Sequence, residues 1–381
     1  MNLNSLKHLF QNHKESTLFG RYIFSGHIYP LVKKHQNNFI IESIGISVLG
    51  EEIHVIKIGN GPKKILMWSQ MHGNESTTTK AVLDLCNVFA NSNLNEVKSI
   101  LQNCTIAIIP ILNPDGAKLY TRLNANKIDL NRDAQNLSQP ESRALRAFFD
   151  IYKPDYCFNL HGQRTIFSAG DSNHPATVSF LAPAQDALCT VTETRKKAME
   201  IISKMNENLQ KQIQNQIGIY DDAFNLNCVG DTFQSLNVPT ILFEAGHYSK
   251  DYDREVVREF IFQSLLVAIG HISSHSVFGK LYEAYFEIPQ NKKLFYDLII
   301  RNAKINEYIC DVGILYQEKL LGEKIEFVPI VDKISDLSNF FGHREVEANT
   351  YVVLTANKET IYVGYENDFA LINNEQFSLK D

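Results

Sequence analysis

The sequence predicts an α/β fold in which helices cover both faces of a mostly buried β-sheet, followed by a small, mostly β appendage. The strand candidates are continuous apolar runs, which are typical of strands with helices packed on both faces. Helical patterns lie between these runs, and such alternation favours a layered α/β sandwich. The pattern changes near residue 275, beyond which β-leaning stretches dominate.

The strand candidates share a high content of isoleucine, leucine, valine and aromatic side chains, as strands generally do. They are HVIKIG (54–59), ILMWSQM (65–71), CTIAIIPIL (104–112), YCFNL (156–160) and TILFE (240–244).

Helix candidates separate these strands. Residues 75–91 place Ala81, Leu85 and Val88 on one helical face. Residues 139–152 open with Gln-Pro-Glu, and proline is tolerated in the first turn of a helix. The other candidates are a long segment near 184–215 and the apolar segment 253–272.

The change near residue 275 suggests a domain boundary within the linker candidate SSHSVFG. We expect residues 1–275 to form one domain and residues 276–381 to form a small, mostly β domain. Within the second part, NKKLFYDLIIRNAK (291–304) has a helix-like pattern, whereas KIEFVPIV, TYVVLTA and TIYVGY favour strands. This appendage could restrict access to a functional site or bind a partner, but we expect it simply to extend the core.

Composition argues against nucleic-acid and membrane partners. The 381 residues include 37 Lys and Arg against 43 Asp and Glu, a net charge of −6, so no basic surface for nucleic acid is indicated. No apolar run approaches the roughly 18 residues that span a bilayer, and the N-terminal residues lack the apolar core of a signal peptide. We therefore expect a cytoplasmic protein, whose oligomeric state the sequence leaves open.

The cysteines are expected to be buried free thiols. Several lie in apolar runs, and none forms the CxxC pair that is typical of a redox or zinc motif. They are Cys86, Cys104, Cys157, Cys189, Cys228 and Cys310.

Candidate metal ligands follow two strand candidates. His72 and Glu75 come directly after ILMWSQM, and residues three apart at a helix start share one face. His161 ends the run CFNLHG. Ligands of α/β sheets gather at the carboxyl ends of strands, and hydrolytic zinc sites commonly use two histidines and one glutamate. An HxxE pair by itself is weak evidence, and a lone histidine is more often a hydrogen-bonded interior residue.

Further chemical groups occur in a polar loop and at another strand end. The segment 112–134 carries Arg122, Asp129, Asn131 and Arg132 after a strand candidate. Arginine suits bidentate recognition of a carboxylate, and aspartate can orient a ligating histidine. Glu244 closes an apolar strand, where an acid is usually paired or functional. Beside a metal-bound water, such a carboxylate can act as a general base.

Together these residues resemble the zinc metallocarboxypeptidases, the carboxypeptidase A-like family that includes the succinylglutamate desuccinylase and aspartoacylase branch. The resemblance rests on the order of the motifs and covers roughly residues 40–275. The motifs are His72-x-x-Glu75, Asn-Pro-Asp-Gly (113–116), Arg122, Asp129-Leu-Asn131-Arg132, His161 and Glu244 at a strand end. The resemblance implies a mixed sheet sandwiched by helices and one zinc ion.

The resemblance also implies a role for each matching residue. His72, Glu75 and His161 would bind zinc, and Asp129 would orient His72. Arg122 would stabilise the oxyanion of the tetrahedral intermediate. Asn131 and Arg132 would hold the free carboxylate of the C-terminal substrate residue, and Glu244 would deprotonate the zinc-activated water and then protonate the leaving amine.

Some positions match the family less clearly. The family has a tyrosine on a mobile loop ahead of the catalytic glutamate, and Tyr220 is the candidate, although a merely packed aromatic would fit equally. The specificity pocket should draw on residues 225–231, where Val229 and Gly230 suggest an uncharged group and Asp231 could serve a cation. His247 could touch substrate, but a loop histidine without a role is the more ordinary interpretation.

The leading functional hypothesis is a zinc carboxypeptidase that removes C-terminal residues from peptides. An alternative is a zinc amidase or deacylase acting on cell-wall peptides or N-acyl amino acids, whose substrates also carry carboxylates. A third is a peptide-binding module that has lost catalysis. Each hypothesis implies a peptide or another carboxylate-bearing partner.

Overall fold

A mixed β-sheet of eight strands lies at the centre of the computed structural model, which describes residues 1–380. The first part of the chain contains the strands β1 (Ile40–Ile46), β2 (Glu52–Ile58), β3 (Lys63–Ser69), β4 (Cys104–Ile109), β5 (Tyr156–Gly162), β6 (Phe167–Ala169), β7 (Val178–Leu181), β8 (Ile217–Ile219) and β9 (Thr240–Ala245).

The strand order of this sheet is β1-β2-β4-β3-β5-β9-β7-β8. The four central strands β4, β3, β5 and β9 run parallel, so their carboxyl ends meet at one edge of the sheet. Antiparallel pairing of β2 with β4, and of β7 with β9, makes the sheet mixed.

Helices pack on both faces of the sheet. They are α1 (Leu3–His13), α2 (Ser25–Lys34), α3 (Thr77–Asn91), α4 (Asn95–Asn103), α5 (Pro114–Leu119), α6 (Pro140–Tyr152), α7 (Glu193–Leu209), α8 (Val229–Ser235) and α9 (Glu255–Ser274).

Strand β3 shows why the predicted strands are continuously apolar. Ile65 and Met67 belong to the core shared with α3, α7 and α9, whereas Leu66 and Trp68 belong to the core shared with α6 and α8. All four side chains are fully buried. Because successive side chains of a strand point to opposite faces, burial on both faces requires an unbroken apolar run. The predicted α/β sandwich is therefore confirmed.

Helix α9 corrects one expectation about the sequence. Within residues 1–380 it is one helix that is long and apolar enough to cross a membrane by length and composition, with a mean hydropathy of 1.4. The expectation that no segment reaches that length is therefore wrong. The fold buries 72% of this window, and α9 packs against α3 and α7. The apolar composition of α9 is that of a core helix covered on all sides.

The remaining part of the chain forms two small antiparallel or mixed sheets. β10 pairs with β6 and thereby joins this part to the first. The strand orders are β13-β12-β11-β14 and β15-β16-β17, for β10 (Asn291–Lys293), β11 (Phe295–Ile305), β12 (Tyr308–Leu321), β13 (Lys324–Ser335), β14 (Phe341–Glu347), β15 (Val353–Leu354), β16 (Phe369–Ile372) and β17 (Glu375–Ser378).

The helix expected over residues 291–304 is absent from the described chain, and β10 and β11 occupy the segment instead. Leu298, Ile299 and Ile300 are consecutive and fully buried. Strand β11 pairs with β12 on one side and with β14 on the other, and Leu298 and Ile300 belong to one core of the appendage whereas Ile299 belongs to another, so the run is buried on both faces. Such a run cannot be told from a helix segment by periodicity alone, and the tertiary pairing decides it.

All six cysteines are free thiols. Cys86, Cys104 and Cys157 are buried, whereas the other three are only partly so. Burial raises the pKa of Cys86 to about 12 and that of Cys104 to about 11. These two thiols are therefore uncharged and unreactive near neutral pH.

Candidate active site

His72 and Glu75 occupy the short connection between β3 and α3. Neighbouring backbone fixes this connection, because the Asn113 side chain donates to the carbonyl of Met71 and the Gln70 side chain donates to the carbonyl of Gly73. A Cβ atom on Gly73 would lie 2.0 Å from the Gly116 backbone. The Asn-Pro-Asp-Gly segment thus packs directly against the loop that carries His72, which needs a glycine at that point.

His161 lies in β5, which runs parallel to β3, so its side chain reaches the same edge of the sheet. In the adjacent strand β9, Glu244 is the residue paired with His161. The sheet therefore brings together residues 72, 75, 161 and 244, as is usual for the carboxyl ends of parallel strands.

The side chains of His72, Glu75 and His161 form a compact cluster of potential metal ligands. The two Glu75 oxygens lie 2.9 Å from the Nδ1 atoms of His72 and His161 respectively. The two Nδ1 atoms are 3.1 Å apart. Ligand atoms around a tetrahedral zinc are separated by about 3.3 Å when the zinc–nitrogen bonds are about 2.0–2.1 Å. The donor set and its spacing therefore fit a zinc ion.

The electrostatics of the cluster also favour a cation. Burial opposes ionisation of Glu75, yet His72 and His161 hold the pKa of its carboxyl far below the usual value. Burial would lower the pKa of His72, but Glu75 and Asp129 outweigh it and raise this pKa. Burial lowers the pKa of His161 and keeps its ring neutral. Zinc binds neutral imidazole and ionised carboxylate, so a bound ion would displace the proton that the raised pKa of His72 favours in the metal-free cluster.

Asp129 lies behind His72 and accepts a hydrogen bond from its Nε2 atom at 3.0 Å. Such a partner fixes the ring orientation and leaves Nδ1 free to ligate a metal. Asp129 also accepts from Arg122, at 3.2 Å from Nε and 3.1 Å from Nη2. Burial raises the pKa of Asp129, but the hydrogen bond and charge of His72 together with the charge of Arg122 lower it overall.

Arg122 extends from Asp129 to Glu75, whose Oε1 lies 3.3 Å from its Nη1 atom. The Arg122 side chain is 47% exposed and lines the cavity above the cluster. A fixed cation at this position can donate to an oxyanion formed beside the metal ligands.

Asn131 and Arg132 form a short 3-10 turn next to α8. The Asn131 side-chain oxygen accepts from the backbone of Val229 at 3.1 Å, which leaves its amide group available for other partners. Arg132 is exposed and donates to the carbonyl of Asn131 at 2.7 Å. Both residues line the same cavity as the metal-ligand cluster.

Glu244 is half-buried, and its inaccessible Oε2 atom has no hydrogen-bond partner among residues 1–380. Burial raises the pKa of Glu244 well above the usual value, and the charge of Glu75 adds to this effect. Arg122 and Arg254 offset it in part. An unpaired acid in a cleft with a strongly raised pKa is a candidate for proton transfer.

Tyr220 lines the cavity, and its hydroxyl donates to the side-chain oxygen of Gln163 at 2.8 Å. Its ring packs edge-on against Phe167 at 5.4 Å between ring centroids. Burial raises the pKa of Tyr220, with the charge of Glu244 as the next contribution, so the hydroxyl stays protonated.

The candidate specificity residues divide between the cavity and the core, where Val229 is buried with Phe149 and Phe233 and does not line the cavity. Asp231 and Gly230 line the cavity, and burial raises the pKa of Asp231 to about 6. His247, in contrast, packs between the rings of Tyr252 and His343 and is not among the cavity-lining residues. The described structure therefore gives His247 a packing position rather than a place beside the metal ligands.

Comparison with known proteins is decisive for the family. The family model for zinc carboxypeptidases matches residues 27–252, more than half of the 381-residue chain. The chain belongs to the zinc carboxypeptidase family. This membership confirms the resemblance found in the sequence, and with the cluster of His72, Glu75 and His161 it identifies zinc as the expected metal.

Two curated relatives match part of this zinc carboxypeptidase chain. Carboxypeptidase SOL1 of Arabidopsis thaliana is 28% identical over 199 residues, which cover 48% of this chain and 40% of the plant protein. The carboxypeptidase N catalytic chain of Homo sapiens is 26% identical over 189 residues, which cover 37% of this chain and 40% of the human protein. The chain thus spans about two fifths of the length of these relatives.

Solved structures share the fold of this zinc carboxypeptidase chain. Carboxypeptidase A from Helicoverpa armigera is 14% identical with a TM-score of 0.53, covering 71% of this chain and 80% of its own. A metallo-carboxypeptidase from Burkholderia cenocepacia is 16% identical with a TM-score of 0.53, covering 64% and 69% respectively. At these identities the comparison concerns the fold, and it agrees with the mixed sheet between helices.

The cavity lining includes residues that the sequence does not indicate, and three of them contact one another. Glu318, in β12, forms a 3.0 Å ion pair with Arg21 and accepts a hydrogen bond from the hydroxyl of Tyr120. All three line the cavity of about 850 Å³ above the metal-ligand cluster. No local motif marks them, because their contacts join the N-terminal segment, the loop after α5 and the β appendage. A buried arginine needs a charged or polar partner. The sequence does not show that Arg21 is buried, so it does not show that Arg21 needs one.

Proposed function

We propose that this protein is a zinc-dependent metallocarboxypeptidase that hydrolyses the C-terminal peptide bond of peptides. The observation that carries the proposal is the position of Glu244. It lies opposite the candidate zinc ligand His161 on the neighbouring strand, and its Oε2 atom has no hydrogen-bond partner among the described residues. The same cavity contains Arg132, which suits recognition of a substrate carboxylate.

His72, Glu75 and His161 would hold the zinc ion, with His72 oriented by Asp129. When bound, zinc supplies Lewis-acid chemistry, which lowers the pKa of a coordinated water and polarises the scissile carbonyl. A two-histidine, one-glutamate donor set leaves a coordination position for water or substrate.

Glu244 performs the proton transfers in this proposal. Its carboxylate accepts a proton from the attacking water as the carbon–oxygen bond forms. The same oxygen then donates that proton to the peptide nitrogen as the carbon–nitrogen bond breaks. A raised pKa of Glu244 suits its change from general base to general acid, because the carboxyl group must both accept and release the proton.

Arg122 and Arg132 interact with two different negatively charged groups of the substrate. Arg122 donates to the carbonyl oxygen as it gains negative charge, an interaction that strengthens in the transition state. Arg132 and the amide group of Asn131 bind the substrate's free carboxylate, which places the last peptide bond at the catalytic groups. Tyr220 can donate to the substrate once its hydroxyl leaves Gln163.

The test uses purified, zinc-loaded protein and a set of short peptides with free or amidated C-termini. Mass spectrometry should detect release of the C-terminal residue from the free acids, and amidation should suppress it. Zinc binding and tight peptide binding without turnover of any substrate would instead favour a non-catalytic module.

A deacylase or amidase remains the second candidate, because the β appendage narrows the space available to substrate. The same assay should therefore include N-acyl amino acids and γ-D-glutamyl peptides. Turnover of these compounds, with ordinary peptides untouched, would replace the carboxypeptidase proposal.

A further inference from the structure

The β12–β13 hairpin extends beyond the sheet to which it belongs. Pairing between β11 and β12 stops at Leu298 and Ile314, whereas β12 and β13 remain paired to Leu321 and Lys324. We call residues 315–330 the hairpin arm. The base of the hairpin is anchored in the core of the appendage through Val312 and Ile314.

The hairpin arm lines the active-site cavity. Its contribution comprises Leu315, Tyr316, Gln317, Glu318, Phe327 and Ile330. These residues line the cavity that also holds His72, His161 and Arg132. The arm is therefore a wall of the site and not an extension of the core alone.

Buried polar contacts fasten the arm to the rest of the molecule. Glu318 pairs with Arg21, which is only 7% exposed, and accepts from the hydroxyl of Tyr120. The Tyr316 backbone donates to Asp297 at 2.8 Å, and Asp297 also accepts from Tyr252 at 2.9 Å. Breaking a largely buried ion pair is costly, so the arm is held in place over the cavity.

We propose that the hairpin arm limits the substrate to short peptides, an inference that rests on the proposed carboxypeptidase function. A peptide held by Arg132 at its C-terminal carboxylate must extend from the catalytic groups within the lined cavity. That cavity of about 850 Å³ is of the size of small-molecule sites. Each additional extended residue adds about 3.3–3.6 Å of length. A long peptide therefore contacts the arm before its C-terminal peptide bond reaches the catalytic groups.

The test compares a tripeptide with an octapeptide that ends in the same three residues. On wild-type protein, kcat/KM for the octapeptide should be at least about tenfold lower, the loss expected when productive positioning fails. Calorimetry with zinc-loaded Glu244→Gln protein should show tripeptide binding at least about tenfold tighter, a readout that needs no turnover.

Two variants separate the arm from the rest of the site. In one, Asn-Gly replaces residues 318–327 and joins Gln317 to Val328, which are paired in the hairpin. In the other, Glu318→Gln weakens the contact with Arg21. Both should raise the octapeptide-to-tripeptide ratio of kcat/KM, the first more strongly. Lys319→Gln is the matched control, because Lys319 pairs with Glu366 and does not line the cavity; its ratio should equal that of wild type.

The outcomes distinguish the two proposals. Tripeptide binding without turnover by wild-type protein would contradict the carboxypeptidase function and leave the size limit intact. Equal binding of the two peptides, or no binding of the tripeptide, would overturn the size limit. An unchanged ratio in Glu318→Gln and in the shortened arm would overturn it as well, and Glu318→Gln decides the matter should the shortened protein not fold.

Discussion

The Nδ1 atoms of His72 and His161 face each other at 3.1 Å, and Glu75 places one oxygen 2.9 Å from each of them. Two imidazole nitrogens at this separation repel unless a proton or a metal lies between them. Because Glu75 adds a carboxylate, a divalent cation stabilises the cluster better than a proton does. The cation is then surrounded by three donor groups.

Zinc content should follow from this cluster. We expect about one zinc per chain in wild-type protein and a large loss in His161→Gln, because only two of three ligands would remain. Chelation should lower the melting temperature, since a ligand at a thousand times its dissociation constant contributes about 4 kcal/mol. Elemental analysis and thermal denaturation measure both effects. His8→Gln, which alters an exposed histidine, should retain the metal; full zinc content in His161→Gln would contradict the assignment.

Replacing Glu244 should separate activity from stability. Glu244→Gln removes the proton acceptor, so kcat should fall by about 10²–10⁴-fold. The free energy of unfolding should stay the same or rise, because a half-buried carboxylate with an unpartnered oxygen is replaced by a neutral amide. Steady-state kinetics and urea denaturation test the two parts. Glu193→Gln, which alters an exposed ion pair with Lys196, serves as the control. Wild-type activity in Glu244→Gln would contradict the proposed mechanism.

Replacing Arg132 should abolish the preference for a free C-terminus. In Arg132→Gln, we expect kcat/KM for free-acid peptides to fall by about 10²-fold, the loss of a charged hydrogen-bonding partner. The value of kcat/KM for amidated peptides should change little. The values for free-acid and amidated peptides should therefore become similar. Arg146→Gln removes a partly exposed arginine paired with Asp150 and should leave both rates unaltered. An undiminished preference for free acids in Arg132→Gln would assign carboxylate recognition to another group.

Acid should destabilise the protein through His343. Burial lowers the pKa of His343 from 6.5 to about 4, Arg254 acts in the same direction, and the Thr165 carbonyl opposes it. Between those pH values the unfolded chain binds more protons than the native one, so stability falls as the pH falls from 6.5 towards 4. In metal-free protein, His343→Gln should remove about 2–2.5 kcal/mol of this loss between pH 7 and pH 4.5. Urea denaturation at the two pH values measures it; identical pH slopes would refute the role of His343.

The ion pair between Asp84 and Arg258 should be essential for stability. Both side chains are fully buried, and Arg258 also donates to the carbonyls of Leu18 and Glu15. Asp84→Asn leaves the buried guanidinium with Glu255, 3.1 Å from Nη1 and partly exposed, as its remaining carboxylate partner, so the free energy of unfolding should drop by up to about 3–5 kcal/mol. Chemical denaturation provides the measurement, with Asp150→Asn on the exposed pair as control. A loss below about 1 kcal/mol would show that water or another group compensates Arg258.

The main strands and the candidate ligand set could be predicted from the sequence because their signals are local. Strand β3 is continuously apolar, and His72 and Glu75 follow it directly. Strand β1 carries a weaker signal, because it lies at an edge and most of its residues are exposed or half-exposed. The sequence pattern therefore predicts neither β1 nor the short strands β6, β7 and β8.

The site boundary could not be predicted, because its contacts are distant in the sequence. Arg21 and Glu318 meet only after the appendage folds back over the first part of the chain. Residues 291–304 show the same limitation, since only the pairing of β11 with two neighbours distinguishes the strand from a helix. The cytoplasmic location is not addressed by the fold and stays a prediction.

The contact between Arg21 and Glu318 has a consequence for biosynthesis. Every candidate metal ligand and catalytic group has been synthesised once residue 244 is made, yet Glu318 in the wall that encloses them is added some seventy residues later. A nascent or prematurely terminated chain could therefore assemble the catalytic groups in an open cleft. Discrimination between small and large substrates would be acquired last, during the final stage of translation.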